Sequence, residues 1–98
     1  PRDEYVRHFE DALAAALERL DPDFVLVSSG FDCMAGDPLG GFLLEPRDLH
    51  GMTRRVVDAA EDRCDGRLAV FLEGGYDPKR LGAGAVAVIR ALAGLDAP

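Results

Sequence analysis

The stretch FVLVSSGFDCMAGDPLGG, Phe24 to Gly41, joins a short apolar run to a glycine-rich loop that carries two aspartates. The run from Phe24 to Ser28 is rich in β-branched and other apolar residues, a composition typical of a strand that is covered on both faces. A second run, LAVFL from Leu68 to Leu72, has the same character and is followed at once by the glycine turn EGGYD. We therefore predict two strands, each ending in a glycine-rich loop.

Three segments have the apolar periodicity of amphipathic helices. The first begins at Asp3 and ends before Asp21-Pro22, because a proline disfavours helical geometry in the residue ahead of it. The second begins near Pro46 and ends before Asp65-Gly66, and the third follows Asp77-Pro78, an expected N-cap and first helical position. The predicted apolar positions of the three helices in turn are Phe9, Leu13, Ala16, Leu17 and Leu20; Leu49, Met52, Val56, Ala60 and Cys64; and Leu81, Ala85, Ile89 and Leu92.

This order of elements predicts an α/β fold. Two buried strands joined by a helix form a parallel, right-handed βαβ unit. Parallel sheets are usually larger than two strands and are covered by helices on both faces. Because the chain of 98 residues has only two strands and does not begin with methionine, we expect it to be a piece of a longer protein.

Composition disfavours several classes of protein. The 11 basic and 18 acidic residues give a net charge of −7, and the basic residues are scattered, so direct nucleic-acid binding is not expected. No apolar run approaches the roughly 20 residues of a membrane span, and no leader opens the chain, so we expect no membrane partner and a cytoplasmic location. The abundant arginine and alanine favour a bacterial source. Cys33 and Cys64 lack the spacing of a zinc finger or disulfide framework, and Cys64 is expected to be a small core residue.

Each glycine-rich loop follows the carboxyl end of a predicted parallel strand, so both loops are expected to share one edge of the sheet. Ligands of open α/β sheets bind at that edge. If the strands are neighbours, about 4.8 Å apart, Asp32 and Tyr76 open onto one site. Asp32 is a candidate zinc ligand, or its side chain caps its own loop in an Asx-turn. Tyr76 follows Gly74-Gly75 and can donate to an oxygen that becomes negative in a transition state, or it packs over the following helix.

The other polar residues near these loops have less specific interpretations. Asp37 precedes a proline and is expected to form a turn. Glu73 is either a hydrogen-bond acceptor behind the site or a charge at the end of a strand. His8 and His50 are expected to be surface or structural residues, and no HxH or HExxH pattern occurs, so the chain carries at most part of an active site. A phosphate-binding loop is disfavoured, since neither a GxGxxG nor a Walker pattern is present.

Two motifs resemble those of the histone deacetylase superfamily, which also includes acetoin-utilisation proteins and acetylpolyamine amidohydrolases. SSGFDCMAGDPLGG resembles its Gly-Phe-Asp to Gly-Asp-Pro-Leu-Gly segment, and LEGGYD resembles its Leu-Glu-Gly-Gly-Tyr segment. Phe31 and Glu73 within these motifs are more similar to the class II branch than to class I. The resemblance implies an arginase-like, three-layer α/β fold with a parallel sheet, of which residues 1–98 are the C-terminal part.

The same resemblance implies zinc-dependent hydrolysis of acetyl-lysine or a related small acetylamide. It implies that Asp32 is a zinc ligand and that Tyr76 is the catalytic residue that stabilises the oxyanion. It further implies that Leu39, Gly74 and Gly75 border the substrate channel. A histidine pair for proton transfer and an Asp-x-His pair of zinc ligands are then expected upstream of this chain.

Three alternatives compete with this interpretation. Leu39 stands where polyamine-selective members can carry an acidic residue, which favours acetyl-lysine or another acylamide over acetylpolyamine. A ureohydrolase with two manganese ions would require an Asp-x-Asp pair, which GFDCMAGD lacks. A catalytically inactive segment that serves as a structural or interaction module is the alternative from a different class.

Overall fold

The structure is a computed structural model that describes all residues from 1 to 98. Its elements are α1 (Arg2–Arg19), β1 (Val25–Ser29), α2 (Pro46–Cys64), β2 (Leu68–Leu72) and α3 (Pro78–Leu92). The two strands pair in parallel, from Val25 opposite Leu68 to Ser29 opposite Leu72. The predicted order and the parallel β-α-β arrangement are therefore confirmed, with β1 beginning and ending one residue later than expected.

The ends of α2 and α3 are fixed by local capping interactions. Glu45 and Asp48 form a capping box at the start of α2, in which Asp48 Oδ2 accepts a hydrogen bond from the Glu45 N–H at 2.8 Å. The helix ends where Asp65 adopts the left-handed conformation, with φ 57°. At the start of α3 the Asp77 carboxylate accepts two N–H groups of the first turn at 3.0 and 3.1 Å. These caps confirm the predicted ends of both helices.

The hydrophobic core lies beneath the loop that joins β1 to α2. Met34 and Leu44 are fully buried and bring the two ends of this loop together, since Leu44 O accepts from the Ala35 N–H at 2.9 Å and the Leu44 N–H donates to Cys33 O at 3.1 Å. The loop therefore closes on itself, and its apolar residues are part of the core. The central core residues are Phe31, Met34, Leu44, Leu49, Met52 and Val88.

The sheet is covered on one face, so the prediction of strands buried on both faces is wrong. Leu26 is 68% exposed and Phe71 is 54% exposed. Both residues point to the open face, because alternate residues of a strand point to opposite faces of the sheet, and Val70 on the other face packs against the core. The apolar runs do form strands, but their composition does not report which face is covered within this chain.

The apolar face of α2 is as predicted, whereas that of α1 differs. All five predicted residues of α2 are buried, including Cys64, which confirms it as a core residue. Helix α1 has no fully buried residue. It contacts the core through Tyr5, Val6 and Phe9, while Ala16 and Leu20 are exposed. No helix combines the length and the apolar character needed to cross a membrane.

Helix α3 packs mainly through small residues, which corrects part of the predicted face. Leu81 and Ala85 pack against the core as predicted, but Ile89 and Leu92 are 62% and 40% exposed. A Cβ atom on Gly84 would lie 2.6 Å from Phe31 Cδ1 and 2.7 Å from Met34 Sδ, so the loop touches the helix backbone at this glycine. Close approach favours small side chains over large ones on the buried face. The fully buried residues of α3 are Gly84, Ala87, Val88 and Ala91.

We expect Gly84→Ala to lower the free energy of unfolding of the chain by about 1–3 kcal/mol, because the added methyl group would overpack the core. Gly82→Ala is the matched control: it lies in the same helix, where an added methyl group would have nothing within 4 Å, and it should raise that free energy by about 0.5–1 kcal/mol. Urea denaturation followed by circular dichroism measures both. A Gly84→Ala chain as stable as the Gly82→Ala chain would contradict the close contact.

Candidate active site

The two glycine-rich loops leave the sheet side by side. Hydrogen bonding between the chains of β1 and β2 continues past the ends of the strands. The Glu73 N–H donates to Ser29 O at 2.9 Å, and the Phe31 N–H donates to Gly74 O at 2.7 Å. The residues that follow each strand are therefore held next to one another, and Asp32 and Tyr76 follow directly.

Gly74 separates Asp32 from Tyr76. A Cβ atom on Gly74 would lie 3.0 Å from Asp32 Oδ2 and 3.0 Å from Tyr76 Oη, so the two oxygens are at most twice that distance apart. On the other side of the carboxylate, a Cβ atom on Gly30 would lie 3.4 Å from Asp32 Oδ1. The carboxylate thus lies between the glycines that follow the two strands, and the structure brings the predicted pair together at one site.

The backbone before Tyr76 requires glycine. Gly75 has φ 140°, and a Cβ atom there would lie 2.9 Å from Phe31 Cβ and 3.0 Å from Leu81 Cδ1. This conformation and this contact exclude an ordinary side chain. The Tyr76 side chain turns back over Gly74 and is 53% exposed, so its hydroxyl can reach a ligand from solvent.

Asp37 forms the predicted turn and also joins the two loops. Its Oδ1 accepts hydrogen bonds from the N–H groups of Leu39 at 2.8 Å and Gly40 at 3.0 Å. Its Oδ2 accepts the Tyr76 N–H at 2.8 Å. The second contact was not predicted from the sequence.

The environment of Asp37 keeps it ionised. The residue is only 8% exposed. Burial by itself raises the pKa of this carboxyl group, but the N–H donors of Tyr76, Leu39 and Gly40 outweigh burial, and its pKa lies below the ordinary value. The carboxylate is therefore a stable acceptor for both loops near neutral pH.

Asp32 differs from Asp37 in having its carboxylate oxygens available. No N–H group or cation of the chain bonds these oxygens, in contrast to the three donors on Asp37, so the predicted Asx-turn alternative does not form. A carboxylate in this state can bind an external partner such as a metal ion. No group of three or more histidine, cysteine, aspartate or glutamate side chains lies close enough together to hold a metal.

The turn after Asp37 contacts the backbone of Asp32. A Cβ atom on Gly40 would collide with the carbonyl oxygen of Asp32, so the turn packs directly on the Asp32 backbone. Leu39, the residue before Gly40, is 73% exposed. Phe42 and Leu43 are also more than half exposed.

Comparison with known proteins identifies the family. Residues 1–92 match the histone deacetylase domain. The chain belongs to the histone deacetylase family. This result confirms the resemblance carried by the two loop motifs.

Relatives of this histone deacetylase family member come from several kingdoms. The chain is 40% identical over 93 residues to the histone deacetylase-like amidohydrolase of Pseudomonas aeruginosa, covering 95% of the chain and 24% of the relative. It is 36% identical over 86 residues to histone deacetylase 10, chloroplastic, of Oryza sativa subsp. japonica, covering 88% and 19%. The solved structure of the histone deacetylase Clr3 matches with a TM-score of 0.85 at 34% identity, covering 99% of the chain and 16% of that protein. The predicted α/β fold of a deacetylase domain is confirmed, and the chain spans a quarter or less of each relative.

A cavity of about 390 Å³ in this deacetylase segment lies beside Asp32, between the sheet and the helices, and was not predicted. Tyr5 and Cys33 line it. Burial raises the pKa of the Cys33 thiol, whose sulfur lies 3.6 Å from Gly30 O. Burial also raises the pKa of Tyr5, with Cys33 and Asp32 adding to the effect. The raised pKa values keep both groups protonated near neutral pH.

The remaining candidates in this deacetylase segment stand apart from the pair. His8 is exposed on α1, and His50 Nε2 lies 2.7 Å from Leu95 O near the C-terminus, in keeping with surface and structural roles. Glu73 is exposed at the end of β2, in keeping with the prediction of a charge at the strand end. None of the three adds a partner to Asp32 and Tyr76.

The lowered pKa of Asp37 predicts that the contact between the loops is acid-sensitive. The stability it contributes is present above the ordinary aspartate pKa of about 4 and is lost as the pH falls through the lower folded-state pKa. We expect the melting temperature of the chain to fall more steeply between about pH 5 and pH 3 than that of Asp37→Asn, which cannot titrate there. Thermal melting followed by circular dichroism tests this, and parallel pH profiles would refute it. The pKa of Asp48 is also lowered, but Asp48 is present in both proteins and contributes equally to their two pH profiles.

Proposed function

We propose that residues 1–98 form the C-terminal part of a zinc-dependent deacetylase that hydrolyses acetyl-lysine or a related small acetylamide. The observation that carries this proposal is the convergence of Asp32 Oδ2 and Tyr76 Oη over Gly74. The Asp32 carboxylate, which no N–H group or cation of the chain bonds, and the exposed Tyr76 phenol then face the same space. Membership of the histone deacetylase family supports the reaction class.

Asp32 has the proposed role of one zinc ligand. Carboxylate oxygens bind zinc at about 2.0–2.2 Å, and catalytic sites have about three protein ligands, so the other ligands belong to residues upstream of this chain. When bound, zinc would supply Lewis-acid activation of the acetyl carbonyl. Within the chain, Gly30 and Gly74 leave the space around the carboxylate free of side chains, and this supports access by the metal ion.

Tyr76 has the proposed role of hydrogen-bond donor to the acetyl oxygen. Donors fixed at the position where negative charge develops stabilise a transition state more than a ground state. The hydroxyl is exposed and next to Asp32, which supports this role. An upstream histidine is the proposed acceptor of the proton from the attacking water.

Leu39, Gly74 and Gly75 are proposed to border the channel of the substrate. The Leu39 side chain presents exposed apolar surface, which would suit the methylene chain of an acylated lysine. A carboxylate at this position would favour a substrate with a second amine, so leucine supports acetyl-lysine or another acylamide over acetylpolyamine. Gly74 has no side chain to obstruct Asp32 Oδ2 and Tyr76 Oη, whereas Gly75 faces Phe31 and Leu81.

In the complete enzyme that carries this segment, we expect Tyr76→Phe to lower kcat on the order of a hundredfold, the scale at which one oxyanion donor is lost. Tyr5→Phe removes the only other tyrosine hydroxyl of the chain and should retain the original turnover. Steady-state deacetylation of an acetyl-lysine peptide measures both. Full turnover by Tyr76→Phe would remove the proposed role.

For Asp32→Ala in the same enzyme we expect loss of most of the bound zinc, because one of about three protein ligands is removed. Asp11→Ala, which changes an exposed aspartate on α1, should retain the metal. Elemental analysis of the purified proteins compares the zinc content per chain. Equal zinc in the two variants would refute ligation by Asp32.

A further inference from the structure

Asp37 has more acceptor contacts than its turn requires. An Asx-turn needs one side-chain oxygen, which asparagine or serine can also provide. Here Oδ1 alone satisfies the turn, through Leu39 and Gly40. The second oxygen is 2.8 Å from the N–H of Tyr76, 39 positions along the chain. An ionised carboxylate is the side chain that presents two acceptors without a competing donor.

We propose that Asp37 is a positioning residue that holds Tyr76 in register with Asp32 through the Tyr76 backbone N–H. The proposal rests on the function proposed for Tyr76 above. It adds a residue that touches neither metal nor substrate and that acts through the tyrosine.

The segment before Tyr76 depends on such a contact. Gly74 and Gly75 have more backbone freedom than other residues, and Gly75 is held at φ 140°. The Tyr76 hydroxyl makes no hydrogen bond within the chain, and the side chain is 53% exposed, so packing alone does not fix it. After Tyr76, Asp77 caps α3 and secures the chain from that side. The bond from Asp37 fixes the residue that lies between the two glycines and the helix.

The burial of Asp37 also argues for a specific contact. The residue is 8% exposed and forms no ion pair, so its charge is stabilised by backbone N–H groups alone. Burying a charge is costly unless it is well hydrogen-bonded. Loss of one of the three donors would therefore destabilise the charge on Asp37. Loss of the Oδ2 acceptor would leave the Tyr76 N–H without its hydrogen bond.

A separate contact keeps the loop in place without Asp37. Arg80 on α3 donates from Nε to Ala35 O at 2.9 Å and from Nη2 to Glu45 Oε2 at 2.7 Å. These bonds join both ends of the loop to α3. We therefore expect substitution of Asp37 to disturb the Tyr76 backbone locally while the loop remains attached to the core.

The test is a double-mutant cycle in the complete enzyme. In Asp37→Asn, one oxygen can still accept from the turn, while an NH₂ group faces the Tyr76 N–H. We expect kcat to fall by about tenfold to a hundredfold, the scale of a catalytic group displaced by about 1 Å, with KM changed less than about threefold and zinc content unchanged. In a Tyr76→Phe background the same change should lower kcat by less than about twofold, because its effect passes through the tyrosine hydroxyl.

Asp77→Asn is the matched control. It changes the next aspartate along the chain from Tyr76, whose carboxylate bonds α3 only, and asparagine is an equally good N-cap, so kcat should be unchanged. Original turnover in Asp37→Asn, or an undiminished loss in the Tyr76→Phe background, would overturn the positioning role alone. Original turnover in Tyr76→Phe would overturn the proposed function and the positioning role with it.

If Asp37→Asn does not fold, amide hydrogen exchange of the unaltered enzyme tests the hydrogen bond between the Tyr76 N–H and Asp37. The Tyr76 amide should exchange at least about tenfold more slowly than that of Gly75, whose N–H has no acceptor in the chain. Slow exchange at Tyr76 supports the contact. Equal exchange at the two amides overturns it.

Discussion

The contact of Phe31 with α3 and with the second loop is the interaction on which both halves of the candidate site depend. Phe31 packs against the helix backbone at Gly84 and against Gly75 in the other loop, and its N–H donates to Gly74 O. The residue that follows it is Asp32, and the residue that follows Gly75 is Tyr76. One buried aromatic side chain thus connects the core to the two functional groups, because rigid packing transmits position to neighbouring residues.

Local signals explain why most of the fold could be predicted. Asp65 and Asp77 end and begin helices through their own backbone geometry and capping bonds, and such signals lie within a few residues. The buried face of α3 could not be found in this way. Ile89 carries the larger apolar side chain, yet Gly84 is buried because another segment of the chain approaches there, and helical spacing alone does not record that segment.

The candidate site could also be predicted only in part: the pairing of Asp32 with Tyr76 was predicted, and the contact made by Asp37 was not. The general rule for the carboxyl ends of parallel strands was sufficient to bring Asp32 and Tyr76 to one edge of the sheet. The bond from Asp37 to the Tyr76 N–H was missed, because a local turn already accounted for an aspartate before a proline. The second acceptor of that carboxylate becomes visible only when the distance between loops is known. The open face at Leu26 and Phe71 was missed for a related reason, since composition does not tell which neighbour covers a strand.

The shared carboxylate of Asp37 has an evolutionary consequence. It bonds the backbone of Leu39, which is proposed to face the substrate, and that of Tyr76, which is proposed to assist the reaction. On these proposals, a mutation that reshapes the leucine turn to admit a different acyl group is expected also to alter the hydrogen bond that reaches the tyrosine. Selection for substrate preference and selection for rate would then act on one side chain, and a change in preference at this loop is expected to require compensation in the other.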